Sequence, residues 1–160
     1  MENNGNKQFF LNEALREAQN GMRNNLGGPF GAVVVKDGKI IGRGCNRVTS
    51  DNDPTAHAEI VAIREACRNA GTFDLGGAEI YSTCEPCPMC LSAIYWSNIR
   101  SVIYSATRHD AENIGFRDNM IYEEINEEPA QRMIPFQQIN DPEMHQLFEE
   151  WKKKIDKIPY

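Results

Sequence analysis

Apolar side chains near the start of the chain recur at helical spacing. Phe10, Ala14, Ala18 and Met22 form one stripe, and Leu11 and Leu15 widen it. The pattern predicts a helix from about Asn6 to Asn24, ended by Gly27-Gly28-Pro29. It then changes to a β-branched, apolar run over 30–35, followed by Asp37-Gly38 and a second such run over 39–44, which is the signature of a hairpin. The polar stretch 46–54 reads as a loop, after which Thr55 is expected to cap a helix reaching about Ala70, with Ile60, Ile63 and Cys67 turned inward. A strand is expected over 79–83 and a helix from Cys87-Pro88 to about Ser97, since proline suits the first helical position. Another strand is expected over 100–105. Residues 133–139 are read as a last strand, and Met144, Leu147, Phe148, Trp151 and Ile155 mark a closing amphipathic helix.

Strands alternating with helices in this order predict an α/β fold. The expected form is a three-layer α/β/α sandwich with a mixed five-stranded sheet and helices on both faces. The hairpin makes the first strand pair antiparallel, and helical crossovers are expected to make the later pairs parallel. With 160 residues and no internal repeat, the chain is expected to form one domain over 1–160. A net charge of -6 gives it little grip on phosphate backbones, so nucleic acid is not expected as a partner. No run of about 18 apolar residues is present, so no membrane span is expected. Residues 1–8 lack the basic start and apolar middle of a secretory signal, and a cytoplasmic location is expected by default.

Cysteine usage sharpens the picture. Of Cys45, Cys67, Cys84, Cys87 and Cys90, the last three crowd together, which favours metal or redox chemistry over a disulfide framework. His57-Ala58-Glu59 followed by Pro86-Cys87-Pro88-Met89-Cys90 is the H-x-E…P-C-x-x-C pattern that marks zinc deaminases of nucleobases. Cys87 and Cys90 would face one way at an electropositive helix start, where thiolates are favoured. Together with His57 they supply three ligands for one Zn²⁺ and leave a tetrahedral position for water. Glu59 is then placed to take the water proton without binding the metal. Other readings stay open at this point. Cys84 as a fourth ligand would give a closed, non-catalytic zinc module. An iron–sulfur run is disfavoured, because it would want cysteine and proline where Ile94 and Tyr95 stand. Cys45 and Cys67 read as core, His145 as a solvated helix residue, and His109 as a loop residue.

The stretches 53–59 and 82–90 resemble the cytidine deaminase superfamily. Residues 28–38, Ala93-Ile94-Tyr95-Trp96, Gly115-Phe116 with Asp118, and the terminal tyrosine are similar to the bacterial guanine deaminases within it. The resemblance runs over nearly the whole chain. It implies a cytidine-deaminase-like fold and hydrolytic removal of the 2-amino group of guanine, giving xanthine and ammonia. One zinc per subunit would be held by His57, Cys87 and Cys90, with Glu59 carrying protons. It further implies that Asn46, Phe30, Trp96, His57 and Ala58 line the purine site, and that Asp118 meets the amine edge as a second proton carrier. A homodimer is implied in which a C-terminal segment, about 130–160, swaps between subunits and Tyr160 closes the partner's pocket. Guanosine, cytosine and the aminotriazine ammeline are the alternative substrates. On the residues alone, Phe30 and Trp96 also fit a plain core, Asp118 a helix cap and Asn46 an Asx-turn.

Overall fold

The computed structural model describes residues 2–160, with side chains from Gly5 onward. The chain divides into two compact units, Met1–Asn119 and Met120–Tyr160. The first holds α1 (Glu2–Arg23), β1 (Gly31–Lys36), β2 (Lys39–Cys45), α2 (Val48–Asp51), α3 (Ala58–Ala70), β3 (Glu79–Cys84), α4 (Pro88–Trp96), β4 (Ser101–Ala106) and α5 (Arg108–Asn113). Beyond it come α6 (Asn119–Asn126), a 3-10 turn (Pro129–Gln131) and α7 (Pro142–Lys153).

The β1–β2 hairpin forms as the Asp-Gly signal predicts. Asp37 and Gly38 both take positive φ (50° and 72°), the backbone of a turn whose twist matches its strands. A bulge between Val34 and Val35 bends the pair. The sheet has four strands in the order β2-β1-β3-β4. β3 and β4 run parallel, joined through α4, as expected. The β1–β3 pair is antiparallel, against the expectation that every later pair is parallel. The reason is positional: the hairpin puts β2 at the sheet edge, so the α3 crossover lands β3 beyond β1, beside a strand of opposite direction. The fifth strand over 133–139 is absent. Its apolar residues do not alternate with polar ones, and Pro135 offers a sheet no donor.

Alternation along the strands sends side chains to two faces. Val33, Val35 and Tyr81 meet Phe10 of α1, with the Phe10 and Tyr81 rings 5.1 Å apart. Ala32, Val34 and Ile80 meet Ala58, Ala62 and Ala66 of α3 and Ile94 of α4. The first-helix stripe is narrower than the periodicity implies: Phe10, Ala14 and Ala18 are buried, whereas Leu15 and Met22 are exposed. α3 sits unusually close to β2. A Cβ on Gly44 would stand 2.2 Å from the Ala58 carbonyl oxygen and 2.6 Å from the Ala62 nitrogen. That close approach fixes where the start of α3 points.

Two further local readings change. Thr55 does not cap α3, because its amide and hydroxyl both bond to Asp53 Oδ1 (2.8 and 2.6 Å) in a turn that precedes the helix. The polar stretch after β2 contains the short α2, and His109 lies within α5 rather than in a loop.

Candidate metal centre and its pocket

Two helix starts build the site. His57 is the N-cap of α3 and Cys87 the N-cap of α4, both with extended backbones, and neither side chain makes a capping hydrogen bond. Residues that commonly cap helices would spend their polar atoms on the first turn. These two leave theirs for a ligand. Pro88 supplies the first helical position of α4, and Cys90 follows one face round to lie beside Cys87. His57 Nδ1 is 3.5 Å from both Cys87 Sγ and Cys90 Sγ, and the three ligand atoms lie within 4.8 Å of one another. Zinc–nitrogen and zinc–sulfur bonds at a tetrahedral angle separate N from S by roughly 3.5 Å. The three side chains therefore fit a zinc ion without rearrangement.

Charge in the cluster suits a cation. The hydrogen bond from Cys90 and the neighbouring imidazole hold the Cys87 thiol well below the usual thiol range. Cys90 is pushed the other way by sharing its hydrogen with Cys87 and by burial. The Cys87 hydrogen bond raises His57, against the pull of burial. The cluster thus favours negative charge on Cys87, and a bound dication would favour release of the second proton.

Glu59, at the second position of α3, is buried, and desolvation raises its carboxyl. Its Oε2 lies 3.5 Å from Cys90 Sγ and its Oε1 accepts a hydrogen bond from Ser82 Oγ at 3.2 Å. The same cavity is lined by Phe30, Asn46, His57, Glu59, Glu85 and Asp118, among others. Asn46 Oδ1 accepts from the amides of Gly28 and Val48, both at 3.2 Å, which leaves the amide NH₂ for a ligand. Asn46 thus makes the Asx-turn and also lines the cavity. Asp118 Oδ1 is buried without a partner, and burial raises its carboxyl. An orphaned buried acceptor on a cavity wall asks for a donor from outside the chain.

Of the residues expected at the site, His57, Glu59, Cys87, Cys90, Phe30, Asn46 and Asp118 come together. Ala58 is buried behind them in the core cluster. Trp96, at the end of α4, is 67% exposed and does not line the cavity. Tyr160 is 82% exposed and belongs to the second unit. Cys84 lies at the cavity but outside the ligand cluster; its thiol bonds the Thr107 carbonyl at 3.5 Å and burial pushes it up to about 11. Cys45 is buried as expected, while Cys67 is half-buried. His109 and His145 are exposed. The sequence reading did not assign Phe116, whose ring meets Phe30 edge to face at 4.7 Å and 86°. It also missed Glu85, which accepts from the first amide of α5 at 3.1 Å, and Ser82. Ser82 had a legible signal, a hydroxyl on the apolar face of a buried strand.

Comparison with known proteins places this geometry in a class. Residues 4–106 match the cytidine and deoxycytidylate deaminase zinc-binding region, and the chain belongs to that family of zinc-dependent hydrolases. It is 47% identical to the guanine deaminase of Bacillus subtilis over 155 residues, which cover 97% of this chain and 99% of that protein. The crystal structure of that enzyme superposes with a TM-score of 0.93 over 96% of this chain and 98% of its own. The tRNA-specific adenosine deaminase of Aquifex aeolicus is 49% identical over 100 residues, 62% of this chain and 66% of that protein.

Proposed function

We propose that this chain deaminates guanine to xanthine and ammonia. The observation that carries the reading is the end-to-end likeness to a guanine deaminase, which includes the second unit. Likeness to the Aquifex aeolicus tRNA-specific adenosine deaminase is confined to 62% of the chain. The pocket supports the same substrate. Guanine presents N1–H and a 2-amino group, both donors, to the orphaned Asp118 carboxylate, and a ring acceptor to the Asn46 NH₂. Phe30 and Phe116 offer aromatic surface to a planar purine.

His57, Cys87 and Cys90 would hold the zinc, which when bound supplies the Lewis acidity that makes a water nucleophilic near neutral pH. Glu59 takes one proton from the attacking water and gives it to the ring nitrogen, then carries the second proton, from the hydroxyl added at C2, to the departing amine. Its buried, raised carboxyl suits a group that must both accept and donate. Asp118 holds the amine edge in line and is the second proton carrier. The water oxygen becomes the new carbonyl oxygen at C2, and the amine leaves as ammonia. Trp96 and Tyr160 complete the site in a homodimer, with residues from about 130 onward exchanged between subunits. Their exposure in the single chain is consistent with a partner that covers them. The chain would then serve cytoplasmic purine breakdown.

A side-by-side rate panel with guanine, guanosine, cytosine and ammeline tests the substrate. Xanthine should be the dominant product, and turnover of guanosine without guanine would overturn the reading. Glu59→Gln should keep its zinc and lose about 10²- to 10⁴-fold in kcat. A variant near the wild-type rate would remove Glu59 from the chemistry.

A further inference from the structure

We infer that Ser82 is a positioning residue for Glu59, holding one carboxylate oxygen so that the other handles the proton. The inference rests on the reading of Glu59 as the proton carrier.

Side chains alternate along β3, and Ile80 and Ser82 point to the same face. That face is apolar: Ile80 is fully buried with Ala32, Val34 and Ala58. Ser82 is 1% exposed in the same layer. A hydroxyl buried there without partners would destabilise the fold, whereas an alanine methyl would pack at no polar penalty. Its presence calls for an explanation in what it bonds. Ser82 Oγ accepts from the Cys84 amide at 3.4 Å and donates its one proton to Glu59 Oε1 at 3.2 Å. The hydroxyl thus bridges the end of β3 to the first turn of α3.

The bond matters because the two oxygens of Glu59 face different surroundings. Oε1 faces Ser82 and the sheet, while Oε2 faces Cys90 at 3.5 Å. Once Cys90 is a metal thiolate it has no hydrogen to give. Ser82 is then the side chain left to donate to this carboxylate. Held at Oε1, the carboxylate cannot swing, and Oε2 stays on the metal side, free for water and substrate. A carboxylate that must meet a water, a ring nitrogen and an amine in succession gains from a fixed pivot. Neither the zinc pattern nor the purine contacts require Ser82, and it is not among the residues that line the cavity.

The test is a double-mutant cycle on the zinc-loaded and cobalt-loaded enzyme, using Ser82→Ala, Glu59→Gln, the double variant and Ser82→Thr. Ser82→Ala should retain one metal per chain, keep KM for guanine within about twofold and lower kcat by about tenfold, the scale of one hydrogen bond to a charged group. Ser82→Thr, which keeps the hydroxyl, should recover most of that rate. In the Glu59→Gln background Ser82→Ala should cost nothing further. The visible spectrum of the cobalt enzyme reads the same coupling without turnover. Ser82→Ala should shift it, and the double variant should match Glu59→Gln alone. Additive losses in the double variant would overturn the proposal, as would a Ser82→Ala enzyme with unchanged kcat and spectrum. If guanine were not turned over by the wild type while the cobalt spectra still coupled, Ser82 would stand and the substrate assignment would fall.

Discussion

The two units of this chain carry apolar residues in similar proportion and use them differently. Every buried apolar side chain among the described residues precedes Asn119, from Phe10 on α1 to Ala111 on α5. In Met120–Tyr160, Met144, Leu147, Phe148 and Trp151 of α7 are all exposed, and so are Ile134, Phe136 and Ile139 before it. In the first unit, periodicity reports an internal core that aims two helix starts at one point. In the second, the same periodicity reports an apolar face that is exposed. An amphipathic pattern shows that a surface wants to be buried, and leaves open by what.

The largest break of that contrast comes from the first unit. Cys87→Ala should lose zinc and turnover together, with activity down about 10³-fold or more, because several kcal/mol of charge stabilisation goes with the metal. Its circular dichroism should persist, since the buried core does not depend on that side chain. Metal analysis beside steady-state rates checks this, and full activity in a zinc-poor variant would refute it. Asp118→Asn should come next. On the proposed reading, replacing this orphaned buried acceptor by an amide would remove a charge-assisted bond to guanine, worth roughly 10- to 100-fold in kcat/KM. Zinc content should not change, and an undiminished kcat/KM would leave Asp118 as a structural residue. The smallest effect on chemistry belongs to the second unit. Trp151→Glu on α7 should shift sedimentation from dimer to monomer and lower the rate only several-fold, while the metal centre stays loaded. A monomeric wild type with full activity would show that this face is simply exposed.

Much of the site was legible in the sequence because its chemistry is local. His57-Ala58-Glu59 and Cys87-Pro88-Met89-Cys90 each fit within one turn of helix, and proline after Cys87 marks where the helix starts. The hairpin was legible because Asp37 and Gly38 meet a backbone requirement that few residue pairs satisfy. What the sequence hid depends on contacts between distant segments. The antiparallel β1–β3 pairing follows from which side of β1 the crossover lands, which no local pattern records. Phe116 joins Phe30 through a loop that returns over the cavity. Residues 133–139 misled in the other direction: a cluster of apolar residues forms a strand only when a neighbour can pair with it, and Pro135 removes a donor there.

The central claim is that one imidazole and two thiolates hold the zinc, with the remaining position open for chemistry. Zinc K-edge absorption on the active protein counts those neighbours directly. The account predicts two sulfurs at about 2.3 Å and two lighter atoms at about 2.0–2.1 Å, one from His57 and one from solvent. A third sulfur, supplied by Cys84, or an active preparation without zinc would contradict it.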